Sequence, residues 1–135
     1  MAEAWVWATL PLAGLLVSGC TLPARPVLYG QGAEFDGCGA TGEARIVGDQ
    51  RLDLRAAPSA RATVIYRISP GEGFWLCDGA DGWTGVVVHE GYDGNAGQGP
   101  SDDCGAAFIV VLRQPYRGPC LSGWVPTDKV LLIAG

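Results

Sequence analysis

The chain has 135 residues, with 21 Gly, 9 Pro and a net charge of −5. So much Gly and Pro disfavours a helix bundle, because both residues weaken helix interiors. The acidic balance argues against a nucleic-acid partner, and the single His excludes any chemistry that needs two imidazoles within this chain.

The N-terminus reads as an address. Ala4 to Val17 is an uncharged apolar run, shorter than the roughly 20 residues of a membrane span and within the 7 to 15 or so of a signal-peptide core. It ends in Val17-Ser18-Gly19-Cys20. Small residues followed at once by Cys resemble the lipobox of bacterial lipoproteins, in which that Cys receives lipid and becomes the new N-terminus. Met1-Ala2-Glu3 departs from the pattern, because it carries no Lys or Arg. The expectation is a signal peptide over residues 1–19 and membrane association through a lipid anchor on Cys20.

Residues 20–43 are rich in Pro and Gly and show little periodicity, so they are expected to be a tether and N-terminal segment. The folded domain is expected over 44–135. Strands are expected at Ala44–Val47, around Leu52-Asp53-Leu54, at Thr63–Ile68, Gly73–Cys77, Trp83–Val88, Phe108–Leu112, Trp124–Val125 and Val130–Ile133. Turn residues separate them, as at Ser69-Pro70-Gly71, Asp78–Gly82 and Pro115–Pro119. Short strands with frequent turns predict an all-β fold, a small barrel or sandwich almost without helix. The expected core is Leu52, Leu54, Ile65, Ile68, Val86, Val88, Val125 and Val130.

A resemblance narrows this. Leu52-Asp53-Leu54-Arg55-Ala56-Ala57-Pro58-Ser59 resembles the opening signature of bacterial SH3 domains. Pro70-Gly71, Asp81-Gly82-Trp83 and Gly123-Trp124-Val125 follow in the family's order. The likeness covers residues 45–133 and implies a strongly bent antiparallel SH3-like barrel of five or six strands. It departs from the family at 89–120, an insertion where a short turn is usual. Tyr116–Val125 looks like a subgroup of exported, disulfide-bearing members, in which such an insertion is familiar.

Setting Cys20 aside leaves Cys38, Cys77, Cys104 and Cys120, an even number in a chain read as exported. No pair has C-x-x-C spacing, which disfavours a zinc or thioredoxin-type site. Three disulfide pairings are possible. The expected one is Cys104–Cys120, bracketing the inserted strand Phe108–Leu112, with Cys38–Cys77 tying down the N-terminal segment.

The catalytic inventory is thin. His89 is the sole imidazole, and thiolate catalysis needs one beside a free Cys. Asp93-x-Asn95-x-Gly97 begins like a calcium loop, but Gln98 and Cys104 stand where Gly and Glu belong. Asp102 and Asp103 complete a solvated acidic loop, with no rigidly placed carboxylate pair for glycoside hydrolysis. Gly37-Cys38-Gly39-Ala40-Thr41-Gly42 fits a dinucleotide motif by letters, yet no helix pattern follows, so it is expected to turn. No enzyme activity, metal or cofactor is expected. Aromatic residues on loops suit recognition, so the candidate binding residues are Trp83, Tyr92, Tyr116 and Arg117. The resulting expectation is an envelope binding module facing the periplasm, with outer-membrane sorting favoured by Thr21 after Cys20. Its partner is expected to be peptidoglycan or an envelope protein. The alternative is a structural accessory lipoprotein without a ligand site. An aromatic cleft at Trp83 and Tyr116 would favour the first, and an exposed apolar patch on the inserted strand the second.

Overall fold

A computed structural model describes residues 22–32, 34–89 and 104–135. The signal-peptide and lipid-anchor readings, Cys20, Tyr92 and the Asp93–Asp103 loop lie outside the described residues. In chain order the strands are β1 (Leu28–Tyr29), β2 (Ala40–Ala44), β3 (Leu52–Arg55), β4 (Val64–Ile68), β5 (Gly73–Ala80), β6 (Trp83–Val88), β7 (Gln114–Pro115), β8 (Leu121–Pro126) and β9 (Val130–Ala134). A short 3-10 turn, Thr127–Lys129, separates the last two. The described part of the chain is all-β, as expected.

Seven strands form one antiparallel sheet in the order β4-β3-β8-β6-β5-β2-β9, and β1 pairs with β7 in a small second sheet. The central hairpin β5–β6 turns at Asp81-Gly82, where Gly82 takes φ +75°, a left-handed conformation that costs Gly little. The ladder then runs from Ala80↔Trp83 to Phe74↔Val88. β3 meets β8 at a single position, Arg55↔Trp124. The β3–β4 hairpin therefore folds over the rest of the sheet. The inner core lies inside that bend, made of Leu52, Leu54, Ile68, Phe74, Val86, Val88 and Val125. Burying each such side chain contributes roughly 1.5–3 kcal/mol. The sheet curls without closing, since its outer strands β4 and β9 do not pair with each other.

A second layer covers the other face. Val27 and Cys38 from the N-terminal segment join Cys104, Ala106 and Tyr116 from the 104–120 region, packed on Cys77, Val87 and Trp124. β6 is thus buried from both sides, and Val86, Val87 and Val88 are all fully buried. An uninterrupted apolar strand is what two-sided burial requires. Trp124 is fully buried, and its indole N–H donates to the Arg25 carbonyl at 2.8 Å.

Gly85 makes this contact possible. A Cβ there would lie 2.8 Å from the Asp78 Cβ, 3.0 Å from Val27 Cγ1 and 3.3 Å from the Trp124 ring. Gly85→Ala is expected to cost about 1–3 kcal/mol by overpacking, read as a lowered urea midpoint at unchanged slope.

Several expectations need correction. The described part of residues 20–43 is not a tether. Val27 is buried, Cys38 is bridged, and β2 lies between β5 and β9 in the main sheet. The domain therefore extends N-terminal of residue 44. The expected Ala44–Val47 strand lies earlier, at β2, and the Gly-rich stretch 37–42 runs into it instead of turning. Ile65 is 42% exposed, because it sits on edge strand β4 pointing away from the bend. Val130 is half-buried. Phe108–Leu112 is no strand; it makes one isolated bridge, Asp36↔Ile109.

Candidate interaction surface

The second layer is held by polar clasps. Asp78 lies almost wholly buried on β5, its side chain 5% exposed. Its Oδ2 accepts the Leu28 N–H at 3.0 Å. Its Oδ1 accepts the Gly79 N–H at 2.8 Å and Arg113 Nη2 at 2.7 Å. One carboxylate thus joins the sheet to both covering segments, and charge-assisted bonds of this kind are the stronger ones. The disulfides Cys38–Cys77 and Cys104–Cys120 complete the attachment, in the expected pairing.

Tyr116 is a support within this layer and presents no contact surface. It is buried. Its hydroxyl donates to the Cys104 carbonyl at 2.6 Å and accepts the Cys120 N–H at 3.3 Å. Its ring meets Tyr29 edge-on at 5.3 Å, and its own N–H donates to the Val27 carbonyl at 2.8 Å. The expectation of a loop aromatic turned to solvent fails here, because the disulfide loop needs a filled centre and the phenol supplies two hydrogen bonds to it. Trp83 is half-buried and packs against the same cluster, as Trp75 does. Arg117 is exposed, while Tyr116 beside it in sequence is buried. Tyr92 lies outside the described residues.

Beside polar residues such as Asp36, Arg113 and Arg117, the second layer exposes large apolar side chains. Phe35 is 60%, Phe108 56%, Ile109 59%, Val111 56% and Leu112 74% exposed. Their backbone is nonetheless ordered by partners. The Gly37 N–H donates to the Phe108 carbonyl at 2.7 Å, the Cys38 N–H to Ala106 at 3.0 Å and the Gln31 N–H to Val110 at 3.2 Å. The 106–112 stretch is thereby fixed along the N-terminal segment while four of its large side chains face outward. Sequence reading missed this surface because an apolar run is ordinarily assigned to the core. Single exposed apolar residues are ordinary, whereas large contiguous apolar patches accompany interaction surfaces.

A hollow of about 110 Å³ lies between Thr41, Glu43, Phe74, Trp75 and Ile133. Small-molecule sites usually enclose roughly 300–1,000 Å³, so this one admits no more than a side chain. Another, of about 390 Å³, borders Phe35, Asp36, Cys38 and Gly135. Among the described residues no three His, Cys, Asp or Glu side chains are grouped to hold a metal, and no helix is long and apolar enough to cross a membrane. The two disulfides suggest an oxidising, extracytoplasmic compartment. Compared with protein-family models, curated proteins and solved structures, the chain finds no match in any of the three.

Proposed function

We propose that this chain is an exported, non-catalytic docking module of the cell envelope. Its apolar shelf of Phe35, Phe108, Ile109, Val111 and Leu112 seats an apolar surface of an envelope protein. The observation that carries this is the exposure of those side chains on a backbone tied down by the 30–38 segment. A rigid apolar patch binds at low ordering cost. The burial of Tyr116 and the packing of Trp83 weigh against a ligand-recognition cleft, so the accessory reading is favoured over peptidoglycan recognition. An SH3-like assignment fits this reading. Asp81-Gly82-Trp83 lies on the β5–β6 hairpin, Gly123-Trp124-Val125 lies on β8, and β6 and β8 are neighbours despite the 89–120 insertion. A lipid on Cys20 would hold the module at the membrane face.

The test uses two substitutions that the fold tolerates. Phe108→Asp with Leu112→Asp is expected to leave the folding free energy, read by urea denaturation, within about 0.5 kcal/mol of wild type, as surface changes do. It is expected to abolish co-purification of a stoichiometric protein from solubilised envelopes. Neither wild type nor variant is expected to sediment with purified peptidoglycan. Sedimentation of the wild type with peptidoglycan, or an undiminished protein complex with the variant, overturns the proposal.

A further inference from the structure

Among the described residues the main sheet has two edges, β4 and β9, and they are built differently. β4 carries Arg67, which is strongly exposed and paired with Asp53 at 3.5 Å, and Pro70 follows the strand. Charge and Pro are the devices that keep an edge from recruiting another strand. β9 reads Val130-Leu131-Leu132-Ile133-Ala134 and carries neither. Leu131, Leu132 and Ile133 are 43%, 61% and 55% exposed. Successive residues of a strand face opposite sides, so β9 is apolar on both faces of an open edge.

The backbone shows which groups are open. The Arg45 N–H donates to the Lys129 carbonyl at 2.7 Å. Antiparallel ladders alternate bonded and non-bonded pairs. Lys129 and Leu131 therefore bond toward β2, while Val130 and Leu132 turn their polar groups outward. The Val130 N–H is already given to the Thr127 carbonyl within the 3-10 turn. The outer edge thus offers the Leu132 N–H as donor and the Val130 carbonyl as acceptor, two residues apart. Ile133 is the extra residue of the irregularity between Thr41 and Gly42, so the regular part of the edge is Val130–Leu132.

We infer that β9 pairs antiparallel with β9 of a second copy of this chain, about a two-fold axis at Leu131. In that register the Leu132 N–H of each copy donates to the Val130 carbonyl of the other, and the two Leu131 residues form the central non-bonded pair. No like charges meet. The strand is neutral, and each Lys129 falls opposite Ile133 of the other copy, so the net charge of −5 acts only from beyond the contact, where salt screens it. The offered donor and acceptor complement themselves, as an isologous two-fold interface demands. The inference is independent of the docking shelf.

Cross-linking tests it on the full chain with Cys20→Ser, so that an introduced thiol is the one cysteine outside the two bridges. Leu131→Cys is expected to give a disulfide-linked dimer on mild oxidation, because non-bonded antiparallel pairs bring Cα atoms to about 4.5 Å. Val47→Cys, equally apolar in origin and more exposed, is the control and is expected to cross-link at least about tenfold more slowly. Adding Leu132→Pro removes the outward N–H, which an edge strand tolerates, and is expected to reduce the Leu131→Cys dimer to the control rate. Leu112→Asp is expected to leave it intact, which separates this contact from the docking shelf. Equal rates for Leu131→Cys and Val47→Cys overturn the inference, whatever the proline variant does.

Discussion

The Trp124→Ala variant is expected to lose about 3–5 kcal/mol of folding stability, the range for truncating a buried Trp. Whole domains are stable by only about 5–15 kcal/mol, so this one substitution removes a large part of the margin. Trp124 is fully buried and belongs to the outer cluster with Val27, Val87 and Tyr116. Its indole N–H is bonded to Arg25, and the Arg25 guanidinium lies 5.2 Å from its ring centre. The cavity would open between the two layers, where neither disulfide lets the covering segments collapse freely. Trp124→Phe keeps most of the volume and loses the hydrogen bond to Arg25. It is expected to cost markedly less than Ala. Urea denaturation followed by circular dichroism reads both, and similar midpoints for Ala and wild type would contradict the two-layer account.

Replacing Cys38 and Cys77 together by Ala is expected to cost about 4 kcal/mol on the chain-entropy model for a loop of this length. The bridge closes a sequence separation of 39 residues. The Cys104–Cys120 loop, with a separation of 16, gives about 3 kcal/mol on the same scale. The two loops do not overlap in sequence, so the double-bridge variant is expected to lose close to the sum of the two effects. Comparing the three variants by guanidinium denaturation checks the ranking. A larger loss from the shorter loop would mean that the second layer, rather than the closed chain length, dominates.

Much of the sheet is legible in the sequence because period-2 patterns and turn residues report directly on strands. Leu52-Asp53-Leu54, Thr63–Ile68 and Trp83–Val88 all become strands close to their expected bounds. The disulfide pairing follows from which segments the cysteines bracket. The N-terminal segment is misread because Gly30, Gly32 and Gly37 look like linker composition. In the fold, Gly30 and Gly37 are buried where backbone passes close to Leu112 and Tyr29. Composition cannot separate a flexible Gly from one selected for close approach. The triple valine is legible as a strand, and its burial on both faces becomes visible only with the covering layer in place. The candidate site was the least legible part. Tyr116 stands among polar residues yet fills a core, while Phe108–Leu112 is apolar yet exposed. Residue type reports a preference for leaving water, and it does not say which segment provides the cover.

The disulfides also bear on how the chain reaches its native state. Cys38 joins Cys77, and Cys104 joins Cys120, so these four thiols are linked in two consecutive pairs along the chain. A polypeptide that meets oxidant from its N-terminus onward brings each native pair together before the following pair arrives. Vectorial delivery then favours the correct bonds, with less need for thiol–disulfide exchange to repair mispairing. A free Cys20 would shift that sequence by one, so blocking Cys20 before Cys38 emerges protects every later pairing.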